Sequence, residues 1–270
     1  MRILICGDVM GRTGRKAIVK HVPKLRERFD LDFVIVNGEN AAGGFGITPK
    51  ICDEFYDIGV DVITTGNHVW DQREIIPYFN KEARILRPDN FPAGTPGKGV
   101  AEFRNARGRR IVVMHLMARL FMDPLNDPFA AVTEMLNTRR LGANVDAIVL
   151  DFHGEASSEK MAMGHFVDGR VSAVVGTHTH VPTADAQILP GGTGYQTDLG
   201  MCGDYDSVIG IRKEISIERF VRKMPTARME AAAGEATLCA VMVDIDDLTG
   251  LATNIRSVRI GGRLREEMPD

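Results

Sequence analysis

Seven residues carry oxygen or nitrogen donors of the kind that hold transition metals: Asp8, Glu39, Asn40, Asn67, His153, His178 and His180. An eighth, His68, follows Asn67 directly. Carboxylate, amide and imidazole groups with no thiolate suit Mn, Fe or Zn and differ from the donor set of a structural zinc site. One carboxylate, the two histidines of His178-Thr179-His180 and a further histidine suffice for one ion, and the whole set is large enough for two. Read as extended chain, His178 and His180 project to one side and Thr179 to the other. Two ions about 3.5–4 Å apart can share a bridging water and clamp a phosphoryl group for in-line attack.

The elements that must position these groups are legible as apolar runs. Residues 2–6, 33–37, 60–64, 111–115, 146–152 and 172–176 read as buried strands, and five of the six are followed at once by a donor: Asp8, Glu39-Asn40, Asn67-His68, His153, and His178 with His180. Ligands of an α/β sheet bind at the carboxyl edge of its strands. Continuous apolar strands also imply a sheet covered on both faces. Ala17, Ile18, Val22, Leu25 and Phe29 give residues 14–29 a helical period, with a kink or break expected at Pro23. Thr48-Pro49 is an N-cap and first-turn proline opening a helix to about residue 58. Further helices are expected at 128–141 and 156–168. Residues 91–98 read as a loop. The last third is β-rich with little helix, which implies antiparallel strands added to the sheet or a second sheet packed on the first. The chain reads as one α/β domain, 1–270.

Composition narrows the function. The chain has 270 residues, 44% hydrophobic and 26% charged, as globular proteins do. A net charge of -3 argues against bulk nucleic-acid binding, which needs many neutralised phosphates, but leaves room for a small anionic substrate. No apolar run approaches the ~18 residues of a membrane span, and Asp8 comes too early for a signal peptide. Cys6, Cys52, Cys202 and Cys239 are widely spaced and form no C-x-x-C, as expected of buried reduced thiols in a cytoplasmic protein.

The Gly-Asp near the N-terminus, Gly66-Asn67-His68, His153-Gly154 and Gly176-Thr177-His178-Thr179-His180 together resemble the calcineurin-like metallophosphoesterase superfamily. The segments GDVMGRTGR, VNGENAAGGFGIT, TTGNHVWD and TDLGMCGDYDSVIG resemble its YmdB-type branch, over residues 2 to about 211. That resemblance implies a layered α/β/β/α sandwich with a mixed sheet. It implies a binuclear phosphodiesterase that hydrolyses phosphate esters such as 2′,3′-cyclic nucleotides by a metal-activated hydroxide. Asp8, Glu39, Asn40 and His180 would hold one ion, and Glu39, Asn67, His153 and His178 the other, with Glu39 bridging. Fe or Mn would fill the sites, with Zn as the alternative. His68 would be the proton donor or charge stabiliser beside the substrate. The branch is typically oligomeric, which implies self-association. Two departures from the broad superfamily fit the branch: Asp8-Val9-Met10 in place of D-x-H, and Glu39 in place of the bridging aspartate.

Simpler readings stand beside these. Asp8 alone could cap a helix, His153 could be a core histidine, and Asn67 could serve a left-handed turn. His115 is either a substrate-side residue or a buried structural one, and His21 and His165 fall within helices. Arg12 and Arg15 are solvated helix-start residues or phosphate contacts. The stretch 114–122 is core or a flap, with a loop over the site near Pro124 and Pro128. Gly7, Gly11 and Gly14 have the wrong spacing for a dinucleotide fingerprint, and residues 43–46 lack a P-loop lysine. An oxidoreductase of Rossmann type leaves the histidines unexplained. The competing function is a nucleotide-sensing or partner-binding regulator on the same scaffold, with little turnover.

Overall fold

The computed structural model describes residues 1–224 and 227–269. Two mixed sheets face each other. In the first, β1 (Arg2–Cys6) is central. Parallel to it on one side run β3 (Phe33–Asn37), β4 (Val62–Thr64) and β5 (Ile85–Leu86). On its other side β13 (Ala236–Ile245) runs antiparallel, then β12 (Met201–Asp204) and the two-residue β2 (Asp8–Val9), while β14 (Ala252–Ile260) pairs along β13. The second sheet has a parallel centre of β7 (Arg110–Met117), β8 (Ala147–His153), β9 (Ala173–Thr177) and β11 (Gly194–Gln196). Its antiparallel edges are β6 (Val100–Arg104) and β10 (Gln187–Ile188).

Side-chain alternation along the strands builds the layers. Ile3, Ile5 and Ile35 pack against Ile111, Val113, Val149 and Val175, so the two sheets share one apolar layer. Leu4, Cys6, Val34 and Val36 point the other way, onto α1 (Gly11–Arg28) and α2 (Pro49–Asp57). Met114, Ile148 and Leu150 pack beneath α4 (Pro128–Leu136) and α5 (Ser157–Phe166). The order is therefore α/β/β/α. Two helices lie outside this scheme: the single turn α3 (Ile75–Tyr78) and α6 (Lys213–Arg222). Phe33, Phe55 and Phe152 are fully buried, and truncating any one to alanine costs about 3–5 kcal/mol. No helix among the described residues is long and apolar enough to cross a membrane.

Several local expectations need correction. Helix α1 starts at Gly11, three residues before the expected 14, and runs through Pro23 unbroken. Burial of Ala17, Ile18, Val22 and Leu25 outweighs the missing backbone hydrogen bond. Helix α4 stops at Leu136, well short of 141, because Asn144 closes the following loop, accepting from Arg140 N at 2.8 Å and donating to Thr138 O at 2.6 Å. Helix α6 stands in the last third, where little helix is expected. The C-terminal strands join the first sheet as antiparallel members, and the second sheet comes from the middle of the chain. The cap of α2 is as expected, with Thr48 Oγ1 accepting from Ile51 N at 3.3 Å.

Candidate metal centre

The carboxyl ends of both sheets open onto one rim. β1, β3 and β4 deliver Asp8, Glu39, Asn40, Asn67 and His68 from the first sheet. β8 and β9 deliver His153, His178 and His180 from the second. The closest cluster centres on His153 Nε2. Glu39 Oε2 lies 2.9 Å from it, Asn67 Oδ1 3.0 Å and His178 Nδ1 3.2 Å. The second group is looser. Asn40 Nδ2 is 3.1 Å from His180 Nε2, and Asp8 Oδ1 is 4.0 Å from the same nitrogen. An amide flip of Asn40 turns its Oδ1 to that point. Asp8 also ties the two sheets together, its Oδ2 accepting from His178 N at 3.1 Å.

The donor set fits metal ions on three observations. First, the outer nitrogen of each histidine is engaged and the inner one faces the cluster. His153 Nδ1 meets Thr177 Oγ1 at 2.9 Å, His178 Nε2 meets Glu155 Oε2 at 3.3 Å, and His180 Nδ1 donates to Ile209 O at 2.7 Å. Thr177 Oγ1 itself donates to Asp151 Oδ1 at 2.7 Å, so it must accept from His153. Such partners orient metal-ligating imidazoles and select their tautomer. Second, Asp8 and Glu39 are buried, yet among the described residues neither pairs with lysine or arginine. Third, Asp8 Oδ1 is buried with no hydrogen-bond partner among the described residues, its nearest imidazole nitrogens lying 3.9 and 4.0 Å away. Unpaired buried charge is costly, and a cation is the natural counterpart.

The electrostatics agree. Burial pushes the Asp8 carboxyl up to about 6, against the lowering influence of His180 and His153. Burial acts on Glu39 in the same direction, but His153 and the His68 backbone N–H outweigh it and hold that carboxyl down at about 2. Burial also disfavours the charged form of His153, but Glu39 beside it raises its pKa overall. His178 is held down to about 3 by burial and by its neighbour His153, so it stays neutral with a free lone pair.

His68 stands apart from the donors. Its ring is one-third exposed, its Nδ1 lies 2.8 Å from Asp71 Oδ2, and its backbone N donates to Glu39 Oε1 at 2.7 Å. Among the described residues its Nε2 has no partner. Gly66 lets this segment pass, since a Cβ there would sit 2.4 Å from His153 Nε2.

The extended reading of His178-Thr179-His180 is wrong. β9 ends at Thr177, and His178 and His180 adopt φ of 102° and 65°. The bend sends His178 to His153 and His180 to Asn40. Two residues with no metal-binding signature hold it: Lys160 Nζ donates to Thr177 O at 2.8 Å and to Asp198 Oδ2 at 2.7 Å, and Asp198 Oδ2 accepts from Thr179 N at 3.1 Å. Asp151 and Glu155 likewise support the site without belonging to a motif, while Thr177 lies within Gly176-Thr177-His178-Thr179-His180 without being one of its candidate donors. For Asp151 a signal exists, a carboxylate two residues before His153 in an otherwise apolar strand. His115 is buried, with Nδ1 3.1 Å from Asp151 O and its ring 6.3 Å from that of His153, which is a structural position behind the cluster. Met114 and Met117 are core, while Phe121 is exposed. Arg15 pairs with Glu54 at 3.7 Å, and Arg12 is exposed.

Comparison with known proteins gives consistent matches. A family model described as "YmdB-like protein" matches residues 4–258. A protein named 2′,3′-cyclic-nucleotide 2′-phosphodiesterase, from Bacillus subtilis (strain 168), is 46% identical over 260 residues, spanning 96% of this chain and 97% of its own. The crystal structure of a hypothetical protein from Thermus thermophilus superposes with a TM-score of 0.90 at 41% identity, covering 97% of this chain and 100% of that one. A phosphatase structure from Mycoplasma pneumoniae gives a TM-score of 0.90 at 32% identity, covering 100% of this chain and 95% of that one. Matches of this extent, on a chain whose two sheet edges meet in one donor cluster, show that it belongs to the YmdB-like protein family.

Proposed function

We propose that this protein is a metal-dependent phosphodiesterase that opens 2′,3′-cyclic nucleotides. The observation that carries the reading is the convergence of Glu39 Oε2, Asn67 Oδ1 and His178 Nδ1 on His153 Nε2 within 3.2 Å, beside the buried Asp8 Oδ1, which has no hydrogen-bond partner among the described residues. The name of the Bacillus subtilis relative supports the substrate class. Asp8, Glu39, Asn40 and His180 would hold one ion and Glu39, Asn67, His153 and His178 a second, with Glu39 shared. The imidazole-rich and oxygen-rich halves suit Fe or Mn, with Zn as the alternative. When bound, the ions supply Lewis-acid charge to the phosphoryl oxygens and bring the pKa of water toward 7.

The chain's own residues do the rest. The oxygen of water bonds to phosphorus as the P–O bond to the ribose breaks; His68, oriented by Asp71, gives its proton to the departing ribose oxygen, and the proton that water gives up to solvent balances the one His68 later regains. The shared apolar layer supports treating residues 1–270 as one domain. Four buried unpaired thiols support a cytoplasmic setting. The exposed Phe220, Val221 and Met224 of and just beyond α6 support self-association.

The test strips metal with a chelator, returns Mn²⁺, and follows 2′,3′-cyclic AMP turnover beside elemental analysis. Turnover should vanish on stripping and return with two ions per chain. Full turnover without metal would overturn the mechanism. Metal uptake and nucleotide binding with no turnover on any cyclic nucleotide would favour a regulatory binding role.

A further inference from the structure

A groove of about 560 Å³ lies beside the metal centre, bounded by Arg12 and Lys16 of α1, the 42–45 turn, Gln72 and Arg228. We propose that it binds the next phosphate of a nucleotide chain, so that the preferred substrate is an oligonucleotide end carrying a cyclic phosphate. This rests on the phosphodiesterase reading and names its substrate more narrowly.

Charge is the first observation. Arg12 and Lys16 are four residues apart on one helix face, and Arg228 lines the same groove. Among the described residues none of the three forms an ion pair, whereas Arg15 of the same helix pairs with Glu54 at 3.7 Å. The one acid among the described residues lining the groove, Glu230, is taken by Arg212 at 3.2 Å. A chain of net charge -3 thus gathers three uncompensated cations in one concavity. Clustered like charges repel one another in the free protein, and a polyanion relieves that.

Continuity with the reacting centre is the second. The carbonyl of Asn40 accepts from Gly11 N at 2.9 Å and Gly44 N at 3.1 Å, so the backbone of a proposed metal ligand carries both the helix start and the turn that floors the groove. The Phe45 ring stands edge-on to His68 with centroids 5.1 Å apart, and Gln72 Nε2 fixes that turn by donating to Phe45 O at 2.8 Å. One wall therefore runs from the proton donor, over an aromatic side chain, to the cations. A cyclic phosphate at the centre places its nucleoside along this wall, and the 5′-phosphate follows one ribose further on. The volume lies within the range of small-molecule sites and accommodates a nucleotide unit, while aromatic faces and basic side chains are the usual means of holding single strands. The overall negative charge still opposes duplex binding, which fits a site that reads a strand end.

The experiment compares kcat/KM on 2′,3′-cyclic AMP and on a diadenylate ending in a 2′,3′-cyclic phosphate, for the metal-loaded protein and its Lys16→Gln/Arg228→Gln variant. At low salt the wild type should favour the diadenylate at least tenfold. The variant should lose that preference and keep its rate on 2′,3′-cyclic AMP. In parallel, fluorescence anisotropy with labelled pentaadenylate should show the variant's slope of log Kd against log salt reduced by about 1.4, the value for two single-strand phosphate contacts. Equal kcat/KM on both substrates in the wild type overturns the proposal. So does loss of 2′,3′-cyclic AMP turnover in the variant, which would place these side chains at the reacting phosphate. Turnover of neither substrate by the wild type overturns the phosphodiesterase reading instead, and the salt slope then judges the groove alone.

Discussion

Lys160 Nζ and Asp198 Oδ2 lie 2.7 Å apart with both side chains sealed from solvent. The pair grips the bend that carries His178 from both sides, since Lys160 also donates to Thr177 O and Asp198 accepts from Thr179 N. Removing one partner of a buried ion pair strands the other, at a cost of about 3–5 kcal/mol. Lys160→Met should lose stability on this scale in urea unfolding and should bind metal more weakly. The double variant Lys160→Met/Asp198→Asn should regain part of the stability while its metal binding stays impaired. Metal affinity unchanged in both variants would mean that the pair is structural only.

Glu39 contributes charge as well as shape. Glu39→Gln keeps an acceptor for His68 N but removes the buried charge that would offset the proposed ions. Elemental analysis should find at least one ion lost, with turnover reduced at least a hundredfold. The metal-free variant should be less stable than the metal-free wild type at neutral pH, because it also gives up the charge that His153 and the His68 backbone N–H stabilise. Two tightly bound ions with near-normal turnover would sink the bridging role.

His68 should discriminate between leaving groups. General-acid help is worth 10²–10⁴-fold, about 3–5 kcal/mol of barrier, and matters most for a poor leaving group such as a ribose hydroxyl. His68→Ala should keep its metals, lose most turnover on 2′,3′-cyclic AMP, and lose far less on a nitrophenyl diester. Asp71→Asn should lie between, because it loosens the ring without removing it. His178→Ala should lose metal and fall on both substrates alike. Metal loss in His68→Ala would make that residue a ligand.

The pH response should follow protons that compete with metal. The folded pKa of Asp8, about 6, lies above its ordinary value, so the metal-free fold gains stability from that proton at low pH and loses it as pH rises from about 4 through 6. His153 acts in the same direction, its pKa being raised by Glu39. Glu39 works oppositely, but only as pH falls from about 4.5 through 2. His178 is already neutral at any pH above about 3 and has no proton to give up. Metal must therefore displace protons from Asp8 and His153, and the rise in melting temperature produced by Mn²⁺ should shrink as pH falls from 7 to 5. An equal rise at both pH values would show that these groups do not touch the metal.

Most of the residues that meet in the cluster were legible in the sequence because the signals are local. Apolar runs that end abruptly in Asp8, Glu39, Asn67, His153 and His178 mark strand ends, and Thr48-Pro49 marks a helix start, through physics confined to a few neighbouring residues. Other features depend on partners distant in the chain. That Asp8 and Glu39 come from one sheet and His153 and His178 from another is decided by Ile3 and Ile5 packing on Val113 and Val149, a contact that no spacing encodes. The left-handed backbone at His178 and His180 is held by Lys160, which looks in sequence like any lysine on an amphipathic helix, and by Asp198. Arg12 was ambiguous for the same reason: only the folded chain brings it together with Lys16 and Arg228 in a groove whose one acid among the described residues, Glu230, pairs with Arg212 instead. Residue type and strand period thus determined which groups could bind metal, whereas the packing of two sheets decided which of them meet, since apolar burial is non-directional and fixes neighbours only once the chain has closed on itself.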